Sequence, residues 1–145
     1  MSKFMLLNGP NLNLLGSREP EIYGSTTLDE VEKELCSKAS ISGHQLLCYQ
    51  SNAEHDLVEQ IHLAKEENIK CIIFNPGAFT HSSIAIRDAL SGVGIPFIEV
   101  HISNIYSRED FRQKSFLSDI AEGVVSGLGV EGYALALESG IKKFS

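Results

Sequence analysis

Arg18 stands five residues before a phenol, Tyr23, in the polar, glycine-rich stretch Asn8-Gly-Pro-Asn-Leu-Asn-Leu-Leu-Gly-Ser-Arg-Glu-Pro-Glu-Ile-Tyr-Gly24. If the two side chains converge, the guanidinium favours the phenolate and makes Tyr23 a base. Chemistry of the opposite sign is offered by Ile98-Glu-Val-His-Ile-Ser-Asn104. There, strand alternation puts Glu99 and His101 on one side, opposite Ile98 and Val100. A carboxylate in that position orients the imidazole and keeps it protonated, as a general acid requires; a partly exposed edge-strand histidine is the plainer alternative. A third cluster, Asn75-Pro-Gly-Ala-Phe-Thr-His81-Ser-Ser, sets an amide, a close-approach glycine and a histidine before a helix start. There the plainer alternative is a serine cap with His81 exposed beside it. Arg108 and Arg112 follow at helical spacing, and either can clamp a carboxylate. Arg108 fits a solvated helix face with Glu109 and Asp110 better than it fits a site.

These clusters need elements to hold them together. Apolar runs at Phe4–Leu7, Gln45–Tyr49, Cys71–Phe74 and Pro96–Val100 read as strands, and each is followed by a break and a helical pattern. Thr27 and Glu30 form a capping box for a helix running to about Ser40, with Leu28, Val31 and Leu35 on its buried stripe. A second helix spans His55 to Glu67. A third starts near Ser82 or Ser83 and stops at Gly92-Val-Gly94. The segment Phe116 to Lys143 is expected to hold one or two more helices, interrupted by Gly127 and Gly129. Continuously apolar strands alternating with helices imply a parallel sheet covered on both faces. The fold class is α/β: a flavodoxin-like three-layer sandwich with a central parallel sheet, expected to have five strands in the order 2-1-3-4-5. Ligands bind at the carboxyl ends of such strands, where all three polar clusters fall. The stretch from Asn8 to Gly24 is longer than an ordinary strand-to-helix turn and reads as a lid beside that site.

The 145 residues suit one domain, 1–145, with its own core. No apolar run is long enough to span a bilayer, and the N-terminus leaves no room for a signal sequence, so a cytoplasmic protein is expected, with no membrane partner. A net charge of −7 with scattered lysines argues against nucleic acid. An anionic small molecule would need a local cluster of cations, for which Arg18, Arg108 and Arg112 are the candidates. Cys36, Cys48 and Cys71 have no C-x-x-C spacing and are expected to be buried, reduced thiols.

The long stretch after the first strand, Asn75-Pro-Gly-Ala-Phe-Thr-His81, Ile98-Glu-Val-His-Ile-Ser-Asn104 and Arg108-Glu-Asp-Phe-Arg112 together resemble the type II 3-dehydroquinate dehydratases of the shikimate and quinate pathways. The resemblance covers the chain in order. It implies loss of water from 3-dehydroquinate to give 3-dehydroshikimate through an enolate, with no metal and no organic cofactor. By the same resemblance Tyr23 is the base, Arg18 its tuning cation, Asn11 the residue that holds a water at the enolate oxygen, and His101 the acid. Asn75, His81, Ile102, Ser103 and Arg112 match substrate-binding positions, with Glu99 behind His101. Family members are usually dodecamers built from trimers, and Asp88 matches a residue that reaches a neighbouring subunit's site. The local pattern alone reads Asp88 as an exposed helix acid paired with Arg87. Ser17 in the lid, and Ser118-Asp119 where Ser-Pro is often seen, are the departures.

Other classes fit less well. A receiver domain needs acidic strand ends, and a flavin site needs a compact hydroxyl-rich loop after the first strand. Gly127-Leu-Gly129-Val-Glu-Gly132 fits a dinucleotide pattern, but too few residues follow it for the strand and ribose-binding acid that pattern requires. None of the eight lysines sits in an apolar strand-end pocket suited to Schiff-base chemistry.

Overall fold

The computed structural model describes residues 1–17 and 19–145; Arg18 and the side chains of Ile22 and Tyr23 lie outside the described residues. Five parallel strands, β1 (Lys3–Asn8), β2 (Gln45–Gln50), β3 (Ile69–Asn75), β4 (Phe97–His101) and β5 (Gly123–Ser126), form one sheet in the order β2-β1-β3-β4-β5. Their alternation divides the core in two. Phe4, Leu6, Ile73, Ile98 and Val100 face α2 (Leu28–Ile41) and α5 (Glu131–Phe144), whereas Met5, Leu7, Ile72, Phe74 and Phe97 face α3 (Glu54–Glu66) and α4 (Ile84–Val93). This is the flavodoxin-like sandwich that the pattern of runs predicts. A single-turn helix, α1 (Pro20–Tyr23), interrupts the long stretch after β1.

The helix starts have local causes. Thr27 accepts from the Glu30 amide at 3.2 Å while Glu30 reaches back to the Thr27 amide at 3.5 Å, a reciprocal cap that fixes where α2 begins. Ser83 caps α4 by accepting from Ile86 N at 3.0 Å, and it also donates to Glu54 at 2.5 Å, tying the starts of α3 and α4 together.

Three expectations are corrected. The segment from Phe116 to Lys143 is not helical throughout: Gly123–Ser126 is the edge strand β5, paired with β4. Two adjacent valines suit a pleated edge, and Gly127 and Gly129, at φ 87° and 66°, make the strand-to-helix turn rather than ending a helix. Packing is close at Gly127, where a Cβ would lie 2.9 Å from the Asn104 Cβ. Arg108 and Arg112 do not share a helix either; the chain forms two short 3₁₀ turns, Ile105–Ser107 and Asp110–Arg112. Of the cysteines only Cys71 is fully buried, while Cys36 and Cys48 are half-buried, with their sulfurs 3.6 Å apart. Among the described residues no helix is long and apolar enough to cross a membrane.

Candidate active site

The connection leaving β1 runs to β2 on one side, and the chain then crosses back to β3 on the other, so the segments after these neighbouring strands diverge and open a crevice. Its lining comes from three strand ends: Pro10, Asn11, Leu12 and Leu15 after β1, Asn75, Gly77, Ala78 and His81 at and after the end of β3, and His101, Ile102, Ser103, Ile105, Arg108 and Arg112 at and after the end of β4. The first two segments interlock. Gly9 N donates to Asn75 O at 2.8 Å, a Cβ on Gly9 would lie 2.3 Å from Pro76 O, and one on Gly77 would lie 2.9 Å from Pro10 O. Asn11 is held by its backbone, in a left-handed conformation at φ 70°, with its amide donating to Asn52 Oδ1 at 3.0 Å. Leu15 is buried and Leu12 packs against the core, which anchors the start of the long stretch beside the crevice.

At the end of β4, Glu99 and His101 lie on the same side, as alternation predicts, and His101 Nε2 bonds to Glu99 Oε2. Glu99 has no solvent exposure, and it is met by two further donors, Ser118 Oγ at 2.7 Å and Ser115 Oγ at 2.9 Å. Burial pushes its pKa up, but the hydrogen bond and charge of His101 and the two serine bonds outweigh burial, holding the carboxyl below its ordinary 4.5. An ionised Glu99 only accepts, so Nε2 of His101 carries a proton. Nδ1 is therefore the ring nitrogen available to a ligand.

His81 stands opposite. Its Nδ1 lies 2.8 Å from the Lys114 carbonyl, which can only accept, so Nδ1 is the protonated nitrogen and Nε2 of the neutral ring is an acceptor. Burial pushes the His81 pKa below 6.5, and the nearby His101 and Arg112 charges add to that, against the opposing pull of the carbonyl bond. The crevice thus holds two histidines anchored through different ring nitrogens, His81 by Nδ1 and His101 by Nε2. The cationic wall is formed by Arg108 and Arg112. Arg108 Nη1 donates to Ser103 Oγ at 3.1 Å, and Arg112 Nε donates to Glu109 Oε1 at 3.0 Å, with Arg108 Nε 3.7 Å from the same oxygen. Glu109 therefore holds two guanidiniums at one rim. Arg108, read from sequence as a solvated residue, is half-buried and lines the crevice.

Asn11, Asn75, His81, His101, Ile102, Ser103 and Arg112 are all brought to this crevice. Arg18 and the Tyr23 side chain lie outside the described residues. Asp88 does not reach the crevice of its own chain: it is exposed and lines a separate groove with Ile84, Arg87, Tyr106 and Phe116. Its expected partner is engaged elsewhere, because Arg87 forks onto Asp119 at 2.5 and 3.0 Å and donates to Phe116 O at 2.8 Å. Sequence reasoning missed Ser115 and Ser118 as supports of Glu99, and it missed Tyr133, whose buried hydroxyl bridges Asn8 and Asn75. A hydroxyl in an irregular segment gives no periodic signal, and a tyrosine on an apolar helix stripe looks like core. Among the described residues no group of three or more His, Cys, Asp or Glu side chains is placed to hold a metal ion.

The His81 acceptor, the Glu99-held His101, the paired guanidiniums and the Asn75 amide together fit a small, hydroxylated carboxylate. Comparison with known proteins points the same way. The family model described as dehydroquinase class II matches residues 2–141. The chain is similar to the 3-dehydroquinate dehydratase of Thioalkalivibrio sulfidiphilus, at 63% identity over 97% of this chain and 96% of that one. It is 58% identical to the corresponding protein of Nitrosococcus oceani, over 96% and 95% of the two chains. Among solved structures, the type II dehydroquinase from Butyrivibrio crossotus superposes with a TM-score of 0.94 at 40% identity, covering 97% of each chain.

Proposed function

The chain belongs to the class II dehydroquinase family, and from that membership and the crevice geometry we propose how it dehydrates 3-dehydroquinate to 3-dehydroshikimate, in the shikimate or quinate pathway. The observation that carries the mechanism is the buried Glu99 holding His101 by Nε2 at the mouth of a crevice lined by Asn75, His81, Ser103 and Arg112.

Arg112 binds the substrate carboxylate, and Asn75, His81, Ser103 and the backbone of Ile102 hold its carboxylate and hydroxyl oxygens. Tyr23, ionised beside Arg18, takes a proton from the carbon next to the ketone, and the electron pair moves onto the carbonyl oxygen as an enolate. A water held by Asn11 donates to that oxygen, a contact that strengthens as charge develops. The enolate collapses and the carbon–oxygen bond to the leaving hydroxyl breaks. His101 gives its Nδ1 proton to that oxygen, which departs as water. Returning a proton from Tyr23 to His101 through solvent closes the cycle. Glu99, already ionised, offsets the imidazolium charge before the transfer and orients the ring throughout.

The working form we propose is an oligomer built from trimers, a dodecamer, in a cytoplasmic setting. Asp88 then completes a neighbouring copy's site. Support comes from its exposed position beside Ile84 and Tyr106, which are 60% and 63% exposed. Light scattering checks the assembly.

The decisive experiment is turnover of 3-dehydroquinate followed by ultraviolet absorbance of the enone product. Wild-type protein is expected to turn over, and Tyr23→Phe to lose roughly 10²–10⁴-fold in kcat with little change in substrate binding. No turnover by the purified oligomer overturns the assignment; near-normal turnover by the phenylalanine variant removes Tyr23 as the base.

A further inference from the structure

Beneath the crevice floor, Asn8 and Asn75 end neighbouring strands and are register partners across β1 and β3. The hydroxyl of Tyr133, from α5, sits between their side chains. It has no solvent exposure, donates to Asn8 Oδ1 at 2.6 Å and accepts from Asn75 Nδ2 at 2.9 Å. We propose that Tyr133 is a positioning residue for substrate binding: its hydroxyl, acting with the Gly77 N–H, holds the Asn75 amide with its NH₂ end toward the ligand. The inference rests on the reading of Asn75 as a substrate-binding residue given above.

A phenol has one proton. Burial pushes the Tyr133 pKa up, so the proton stays on the oxygen. With that proton directed to Asn8, only a lone pair remains toward Asn75, and a lone pair accepts only the NH₂ end of the amide. The other end is fixed independently, because Gly77 N–H donates to Asn75 Oδ1 at 3.1 Å. One Nδ2 hydrogen is left, so Asn75 meets the ligand as a donor, to an oxygen. Among the described residues, the buried Nδ2 of Asn8 has no hydrogen-bond partner. Turning that amide over would orphan its oxygen instead and leave the phenol proton without an acceptor, so the direction of the chain Asn8–Tyr133–Asn75 is set by the count of donors.

Tyr133→Phe removes one oxygen and keeps the ring in its core position. The expected result is a KM for 3-dehydroquinate raised roughly 5- to 10-fold, the value of one hydrogen bond, with kcat within about twofold. In the Asn75→Ala background the same change is expected to leave KM unmoved, since the amide it directs is gone. Asn8→Ala keeps the phenol but frees its proton to turn toward Asn75, and is expected to raise KM likewise; it serves if Tyr133→Phe does not fold. A lowered melting temperature with unchanged KM in both variants would mean a purely structural hydroxyl and overturn the proposal. If wild-type protein turns nothing over, the activity reading has failed rather than this one. The Asn75 side-chain amide resonance, assigned through Asn75→Ala, then decides: faster exchange with water in Tyr133→Phe supports positioning, and unchanged exchange rejects it.

Discussion

Ser118 donates to the buried Oε1 of Glu99 at 2.7 Å, joining a loop residue to a carboxylate 19 positions earlier at the end of β4. Through Glu99 this contact reaches His101, so the proposed general acid is supported from outside its own strand. The supporting segment is itself fastened to α4, because Arg87 grips both the Phe116 carbonyl and Asp119. His101 is thus held by a chain of contacts running from the surface helix inward.

Ser118→Ala is expected to remove a hydrogen bond to a charged, buried acceptor, costing about 1.5–3 kcal/mol of stability. With one donor fewer, the Glu99 pKa rises, and the acid limb of the kcat profile moves to higher pH. Ser118→Thr, which keeps the hydroxyl, restores both. Urea unfolding and a pH–rate profile are the measurements; an alanine variant with the wild-type acid limb would detach Ser118 from the acid.

Arg112→Ala tests the binding side. A guanidinium hydrogen-bonded to a substrate carboxylate contributes about 1.5–3 kcal/mol, so KM should rise roughly 10- to 100-fold. Binding lost equally from ground and transition states leaves kcat near its original value. A collapse in kcat at unchanged KM would move Arg112 from clamp to chemistry.

Much of this was readable from residues alone. The β-α alternation and the Thr27–Glu30 pair specify the sandwich and the start of α2, because burial stripes and caps are local signals. The side shared by Glu99 and His101 follows from the pleat. β5 was hidden because only four residues, Gly123–Ser126, form it, too few for a period to emerge against the apolar residues around them. Arg108 departs from the expected solvated helix face for a related reason: spacing of four implies a common face only on a continuous helix, and two 3₁₀ turns break that relation. Contacts such as Ser118–Glu99 and Tyr133–Asn75 depend on tertiary closure across 19 and 58 residues.

Stability is expected to fall with pH in two windows. His81 has a folded pKa below 6.5, so the unfolded chain takes up the proton first and stability is lost as pH drops from 6.5 toward the folded value. Glu99 has a folded pKa below 4.5, so its contribution is present above 4.5 and disappears as pH falls through the folded value. Urea midpoints at pH 7.5, 5.5 and 4 separate the two. His81→Gln should flatten the first interval and leave the lower one; an unchanged slope in that variant would assign the upper window to another group.

The closest backbone approach at the crevice gives a steric prediction. Gly9 follows β1 where the chain passes over Pro76, and an added Cβ would lie 2.3 Å from the Pro76 oxygen and 2.6 Å from its carbon. Both atoms are backbone, so no rotamer change relieves the clash. The segments after β1 and β3 must part, which also strains the bond of Gly9 N to Asn75 O and the placement of Asn75 itself. Gly9→Ala is therefore expected to cost at least about 1–3 kcal/mol, the usual penalty of overpacking, and to raise KM. Gly92 is the control. It is exposed within α4, with nothing within 4 Å of the added methyl, so Gly92→Ala should stabilise by about 0.5–1 kcal/mol through helix propensity. Thermal melts of the two variants should move in opposite directions, and a Gly9→Ala protein with wild-type melting and KM would show that the two segments are not interlocked in solution.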